Sequence, residues 1–506
     1  MGLLASGLTF TSCNDLDQEP STELPASEAI TTVTDLQNAV NGVAYSMIDG
    51  YDGERFTYAT EFTLFGDIRT NDYRAIVDYG QITNIERYSI TKNDAFPEAA
   101  FHYFYATIAD INKTLEESAN LSDDDAEVKN LKGQLYAWRG LLHFDLARIF
   151  AHIPTTVSDK NAANSGIVIS DKVFPDNYKP TRATLQETYD FIINDLTTAA
   201  NMMADDKDNE GPTTNVGSLT YWAAVALRAR AYLYMGEYDK ALADAKEVIN
   251  SGRYQLYTRN NYASVWGTEG TSESIFEIQT STTHNGDRYS TGYYLDESGY
   301  SEAAFNESSK LFKYLHDAKD TTYVKHGEAP AKSLFETDLE VKASEKPDTD
   351  MVIAKINTSD IRRNVVKDQT SSSDAPGYYS GKYPGRGSIY VNNPKVVRLS
   401  EMYLIAAESE YYLHGGAAAA QWINKLEENR KANYTDVASV TLDDILFEYE
   451  MEFFTENQIA FAYWRNKRSV TSTTGAEIKY DAYNNIFPIP QREIDLNKNL
   501  TQNPEY

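Results

Sequence analysis

The sequence predicts a mainly α protein, a helical scaffold interrupted by long insertions of loop and short strand. Three observations carry that expectation. Apolar residues recur every three or four positions, the period of a helix with one buried face, and Leu131, Leu135, Trp138, Leu142, Leu146 and Ile149 form one such stripe. The segment 219–250 crowds alanine around Trp222, Leu233, Leu242 and Val248, with Gly236 as a turn between two periodic runs. Residues 251–395 and 469–486 then change texture to Gly, Ser, Thr, Tyr and Asp, the composition of loops and small strands. A chain of 506 residues with 42% hydrophobic content has ample material for a large core.

Taken in order, residues 1–12 are an apolar leader ending in Thr11 and Ser12 before Cys13, the only cysteine of the chain. Small residues before a cysteine suit a lipoprotein signal, in which the thiol takes a diacylglycerol. Residues 1–12 are therefore expected to be the remnant of a signal peptide, and 13–25 a lipidated Cys13 with a polar tether containing Pro20 and Pro25. The remainder, 26–506, reads as one body in three parts: a helical part at 26–250, a loop-rich insertion at 251–396 and a second helical part at 397–506. Leu36, Ala39, Val40 and Val43 start the first helix, and Pro154 closes the helix of the 131–149 stripe.

The run from Ala229 to Ala245 resembles a tetratricopeptide hairpin, in which small residues let two helices approach and Tyr232 fills between them. A second hairpin is expected at 397–431, turning at Gly415 and Gly416. Between the hairpins, Ser274 to Gln279 and Met351 to Ile356 read as short strands.

Charge and motif content narrow the function. Forty-six basic against 75 acidic side chains give a net charge of -29, which repels nucleic acid and anionic lipid surfaces. No run of 18 apolar residues is present to span a bilayer. The sequence lacks Gly-x-Ser-x-Gly, His-Glu-x-x-His and a P-loop, its seven histidines are scattered, and an acylated Cys13 is no nucleophile. A non-enzymatic protein without cofactor or metal is expected, with a glycan-degrading enzyme and a protein adaptor as the rival classes. Asp206 to Gly211 begins like a calcium loop, but Gly217 stands where the closing carboxylate belongs.

The C-terminal run Phe487-Pro-Ile-Pro-Gln-Arg-Glu-Ile-Asp-Leu, continuing to Pro504, resembles the closing motif of the SusD/RagB family. Ala26 through Tyr45, the Phe101 to Asn112 helix and Val397 to Glu408 agree with the same family. One helix departs: Glu452-Phe-Phe-Thr-Glu-Asn-Gln-Ile459 lacks the family's usual arginine and the aspartate that follows it, read as a structural pair. The resemblance implies a SusD-like helical fold and a surface lipoprotein that binds nutrients without cleaving them. It implies localisation at the outer membrane, facing outward through the Cys13 lipid anchor. The implied partners are an oligosaccharide or polysaccharide ligand and a SusC-like TonB-dependent transporter. The RagB branch implies a peptide ligand instead.

Candidate ligand contacts come from the loops. Asp67, Asn71, Asp72 and Arg74 lie where the family presents polar contacts, although a self-capping loop accounts for them equally. Phe101 stands near the position of the family's stacking tryptophan and suits either ligand or core. Tyrosine is abundant, at 37 residues, and suits wet binding surfaces. Tyr293, Tyr294 and Tyr300 in one loop, and Tyr378 and Tyr379 in another, are candidates for stacking on a sugar. Trp266 completes the set as the one tryptophan outside a helical stripe.

Overall fold

The computed structural model describes residues 30–49, 56–317 and 360–506, apart from 176, 213–215, 373 and 433; between 318 and 359 it describes the backbone of three strands. Cys13 and the expected tether lie outside the described residues.

Helices form the scaffold, and their ends follow local chemistry. Ala126–Phe150 starts on Asp125, whose carboxylate accepts the N–H groups of Glu127 and Val128. The predicted stripe from Leu131 to Ile149 is buried throughout. Leu185–Met203 begins with a capping box in which Thr184 and Glu187 satisfy each other's backbone N–H groups, and it packs along Ala126–Phe150. Tyr221–Met235 ends at Gly236, whose φ of 77° allows the left-handed turn into Tyr238–Asn250.

The second hairpin is Leu399–His414 with Gly416–Glu427. Though remote in sequence, the two hairpins pack against each other. Arg230 donates two bonds to the Glu401 carboxylate at 2.5 and 2.6 Å, and Tyr238 stacks on Tyr412 with ring centroids 4.3 Å apart. Among the described residues no helix is long and apolar enough to cross a membrane.

Both predicted strands form. Ser274–Glu277 pairs antiparallel with Lys395–Arg398, which leads directly into the second hairpin. Met351–Ile356 is the middle strand of a three-stranded antiparallel sheet, between Thr321–Lys325 and Leu339–Ala343.

A buried network of charges joins this insertion to the C-terminal helices. Arg398 donates to Glu273, Glu452 and Glu456; Arg430 donates to Glu273 and Glu452; Arg362 reaches Asp360, Glu427, Glu448 and Glu452. Glu452 and Glu456, on the segment that departs from the family pattern, are thus buried ligands of arginines.

The closing motif is structural. Phe487 packs among Phe56, Phe65 and Phe150, while Asn503 donates to the carbonyls of Phe150 and Phe487 and ties the chain end to the helix it follows in space. The acids of the would-be calcium loop turn to separate protein partners, Asp206 to Asn130, Asp208 to Arg253 and Glu210 to the N–H of Tyr221.

Candidate ligand-binding site

Five tyrosines from three separate segments meet at the surface. Tyr300 is the hub: its ring centroid lies 5.1 Å from Tyr293, 5.8 Å from Tyr79 and 6.0 Å from Tyr289, the last nearly parallel at 22°. Tyr293 extends the array to Tyr390 at 5.4 Å. Tyr79 is 55% exposed and the other four are half-buried, so each ring keeps part of its surface accessible.

The loops are held by close backbone approach. Tyr300 N–H donates to the carbonyl of Tyr293 at 3.0 Å, and a Cβ at Gly299 would meet that carbonyl oxygen at 1.9 Å, so only glycine closes this loop. On the other side, a Cβ at Gly292 would lie 2.5 Å from both the Ile389 carbonyl and Asn392, beside the segment carrying Tyr390. Asp287 and Ser301 have φ of 45° and 55°, left-handed values that are uncommon outside glycine and that flank Tyr289 and Tyr300.

Two carboxylates, the buried Glu302 and the half-buried Asp296, brace the loops that carry the array. Glu302 accepts the N–H groups of Tyr79 at 2.8 Å, Gln81 at 3.1 Å and Ile82 at 2.6 Å, which fixes the turn that presents Tyr79. Burial raises its carboxyl above the ordinary range against the pull of those donors. Asp296 takes Lys367 at 3.0 Å and pins the far side of the loop. Burial opposes the charge of Asp296, but bonds from Ser298 and the neighbouring lysine outweigh it and lower its pKa.

Of the residues singled out in the sequence, Tyr293 and Tyr300 join the array. Arg74 lies in strand Tyr73–Arg74, which pairs with Ala304–Phe305 just beyond Tyr300, and bonds Glu307 at 3.2 Å on the surface. The other candidates are elsewhere.

Asp67 is fully buried and accepts the N–H groups of Asn457, Gln458 and Ile459 at 2.9, 3.0 and 2.9 Å, which makes it the anchor for the start of Ile459–Arg465 rather than a ligand contact. Burial pushes its carboxyl up to about 7. Asp72 is buried beside Thr70 and, with the half-buried Asn71, lines a separate small pocket of about 180 Å³ with Lys310 and Glu450. Burial raises the Asp72 carboxyl to about 6.

Tyr294, next to Tyr293 on a short helix, points inward and donates to Glu61 at 2.7 Å. Tyr379 is buried with its hydroxyl on the Ala375 carbonyl, and Tyr378 packs on Phe312 and His316. Trp266 is buried edge-on against Tyr257 and Tyr262 with the Lys382 ammonium 4.7 Å above its ring. Phe101 lies half-buried against the core, packed on Tyr105 and Phe150.

Tyr79, Tyr289 and Tyr390 escaped sequence reasoning. Tyr79 and Tyr289 are single tyrosines in polar, glycine-punctuated turns (Asp78-Tyr79-Gly80, for instance), a pattern that could have found them; Tyr390, between Ile389 and Val391, carries no such signal.

An open tyrosine array can stack on the C–H faces of a sugar ring and offer hydroxyls at its margin. Among the described residues no group of three or more metal-ligating side chains forms.

Comparison with known proteins gives a consistent result. Residues 16–233 match a family model described as starch-binding and associating with the outer membrane, and residues 272–506 match the model of the SusD family. SusD-like protein P2 of Formosa agariphila is 24% identical, covering 99% of this chain and 98% of that protein. The starch-binding protein SusD of Bacteroides thetaiotaomicron is 24% identical over 91% of this chain and 88% of its own. A SusD superfamily protein from Bacteroides vulgatus has a crystal structure that superposes with a TM-score of 0.77 at 26% identity, covering 94% of this chain and all of that one. A second crystal structure from that organism, of a putative sugar-binding protein, gives 0.76 at 26% identity over 94% and 99%. Sequence motifs, helical architecture and these likenesses agree, and the chain belongs to the SusD/RagB family.

Proposed function

We propose that the protein is a cell-surface lipoprotein that captures an oligosaccharide or polysaccharide on its tyrosine array and passes it to a SusC-like TonB-dependent transporter. One observation carries this reading: five tyrosine rings from three loops converge at a partly exposed surface, an arrangement suited to stacking on sugar rings. The family's description as starch-binding and outer-membrane-associating points the same way. Arg74, in the strand that pairs just beyond Tyr300, offers sugar hydroxyls the guanidinium N–H groups that its bond to Glu307 leaves over, and Cys13 is the anchor.

Affinity electrophoresis in starch, xylan, mannan and mixed-linkage β-glucan, with peptide mixtures titrated by calorimetry, tests the ligand class. Retardation by a glycan without release of product supports capture. Peptide binding alone overturns the glycan reading, and steady release of shorter sugars overturns the binding-only one. Replacing the hub, Tyr300→Ala, is expected to lower glycan affinity at least about tenfold, since it removes the ring that orients three others. Cys13→Ser is expected to release the protein from the membrane fraction.

A further inference from the structure

A second surface feature lies close to the array. A cleft of about 650 Å³ opens between the Val33–Asp49 helix and the exit of strand Ser274–Glu277. Asn41 and Tyr45 line it from the helix, and Ser218, Glu269, Glu277 and Gln279 from the opposite wall. Tyr45 is 57% exposed, yet its ring is held: His284 stacks on one face at 3.2 Å and 8°, and a ring nitrogen of His284 lies 3.0 Å from the Tyr45 carbonyl. An aromatic ring backed on one side and open on the other is a stacking surface.

The chemistry of the walls limits what can enter. Glu277 is paired with Lys395 at 2.6 Å and Glu269 with Arg386, so the two acids are neutralised where they stand. What remains on offer is amide, hydroxyl, one aromatic face and the aliphatic side chains of Ile48, Val216 and Ile278, a mixture that suits a neutral ligand with both hydroxyls and C–H faces.

Two loops connect this cleft to the tyrosine array. One carries His284, behind Tyr45, and then Tyr289 of the array; five residues of chain separate their Cα atoms by at most about 18 Å. The other carries Arg386, bound to Glu269 at the cleft and to the Thr280 carbonyl at 2.8 Å, and then Tyr390 of the array.

From this geometry we infer that the cleft at Tyr45 is a second subsite for the same neutral glycan chain, extending the tyrosine array so that long chains engage both. The inference rests on the reading of the array as a glycan site. Two linked contacts on one chain give an affinity that grows with ligand length, because the second contact forms at high effective concentration.

The test is calorimetry of the wild-type chain, Tyr45→Ala, Asn41→Trp and Tyr300→Ala with maltotriose, maltoheptaose, xylotriose, xylohexaose and the polysaccharides named above. Asn41 and Tyr45 are exposed, and unchanged melting temperatures would verify that both variants fold. Expected is an affinity that rises with length in the wild type, a loss of about tenfold for the longer ligand in Tyr45→Ala and Asn41→Trp, and no change for the trisaccharide. Tyr300→Ala should weaken both. Equal binding by wild type and both cleft variants at every length overturns the second subsite and leaves the array reading standing. Equal loss of short and long ligands in Tyr45→Ala overturns it too, by making the cleft the primary site. Absence of binding by the wild type to every glycan overturns the array reading and this inference with it.

Discussion

Glu452 receives 2.6 Å and 2.8 Å bonds from Arg398 and Arg430 and a 3.2 Å bond from Arg362, all without solvent. Burial opposes its charge, but Arg430 and Arg398 outweigh burial and hold its carboxyl well below the usual range. Glu448, one turn earlier, shifts the other way: burial raises it far above the usual range, and Glu427 adds to burial against the pull of Arg362. Glu448 is therefore biased toward its protonated form and Glu452 toward its charged form. Glu452→Gln should cost about 3–5 kcal/mol, because it strands buried arginines. Glu448→Gln, which copies a protonated acid, should cost about 1 kcal/mol or less. Urea unfolding distinguishes the two. The pH dependence follows by linkage. The depressed Glu452 contributes fully above its unfolded value near 4.5 and loses that contribution as pH falls through its folded value, so Glu452→Gln should flatten the acid side of a melting-temperature profile. The raised Glu448 contributes below 4.5 and loses that as pH rises through its own value, so Glu448→Gln should flatten the decline toward alkaline pH. None of this was legible in the sequence, where the segment from Glu452 stood out only for a missing arginine and a missing aspartate. Asp67 misled for a related reason: a loop aspartate after glycine reads as a polar contact, and nothing local reveals that its partners lie about 390 residues away.

At the level of elements, helices were easier to read than loops. A buried stripe repeats many times within a helix, whereas the site depends on a few contacts between segments distant in sequence. Tyr293 and Tyr300 were legible because they share one tyrosine-rich loop; Tyr79, Tyr289 and Tyr390 reach the array only through pairing that no local pattern encodes. Adjacent residues even part company, with Tyr294 turned toward Glu61 while Tyr293 faces out. The loops themselves are the fragile parts. Gly299→Ala and Gly292→Ala must push against backbone carbonyls at 1.9 and 2.5 Å, an overpacking expected to cost about 1–3 kcal/mol. Glycan affinity in these variants should fall at least about tenfold, measured by affinity electrophoresis, while the helical circular dichroism signal stays. Glu302→Ala leaves the N–H groups of Tyr79, Gln81 and Ile82 without their acceptor and should weaken binding by freeing Tyr79 alone. Its effect should therefore disappear in a Tyr79→Ala background, which a double-mutant cycle would read.

For the molecule as a whole, the two helical hairpins were legible from their small-residue pattern, but their packing against each other was not. The Arg230 to Glu401 pair that joins them spans 171 residues of sequence. The closing motif from Phe487 identified the family from residues that turn out to be ties to the Ala126–Phe150 helix, which explains why they mark the architecture and not the ligand. The composition of the array has an optical consequence. All five tryptophans of the chain lie elsewhere, Trp138 and Trp464 fully in the core, Trp222 and Trp266 buried, and Trp422 against Tyr403. Emission excited selectively at indole should stay constant as the array fills, while ultraviolet difference absorbance of the phenols should change. Replacing Tyr79 with tryptophan would place a fluorophore on the exposed edge of the array and turn a silent protein into its own reporter.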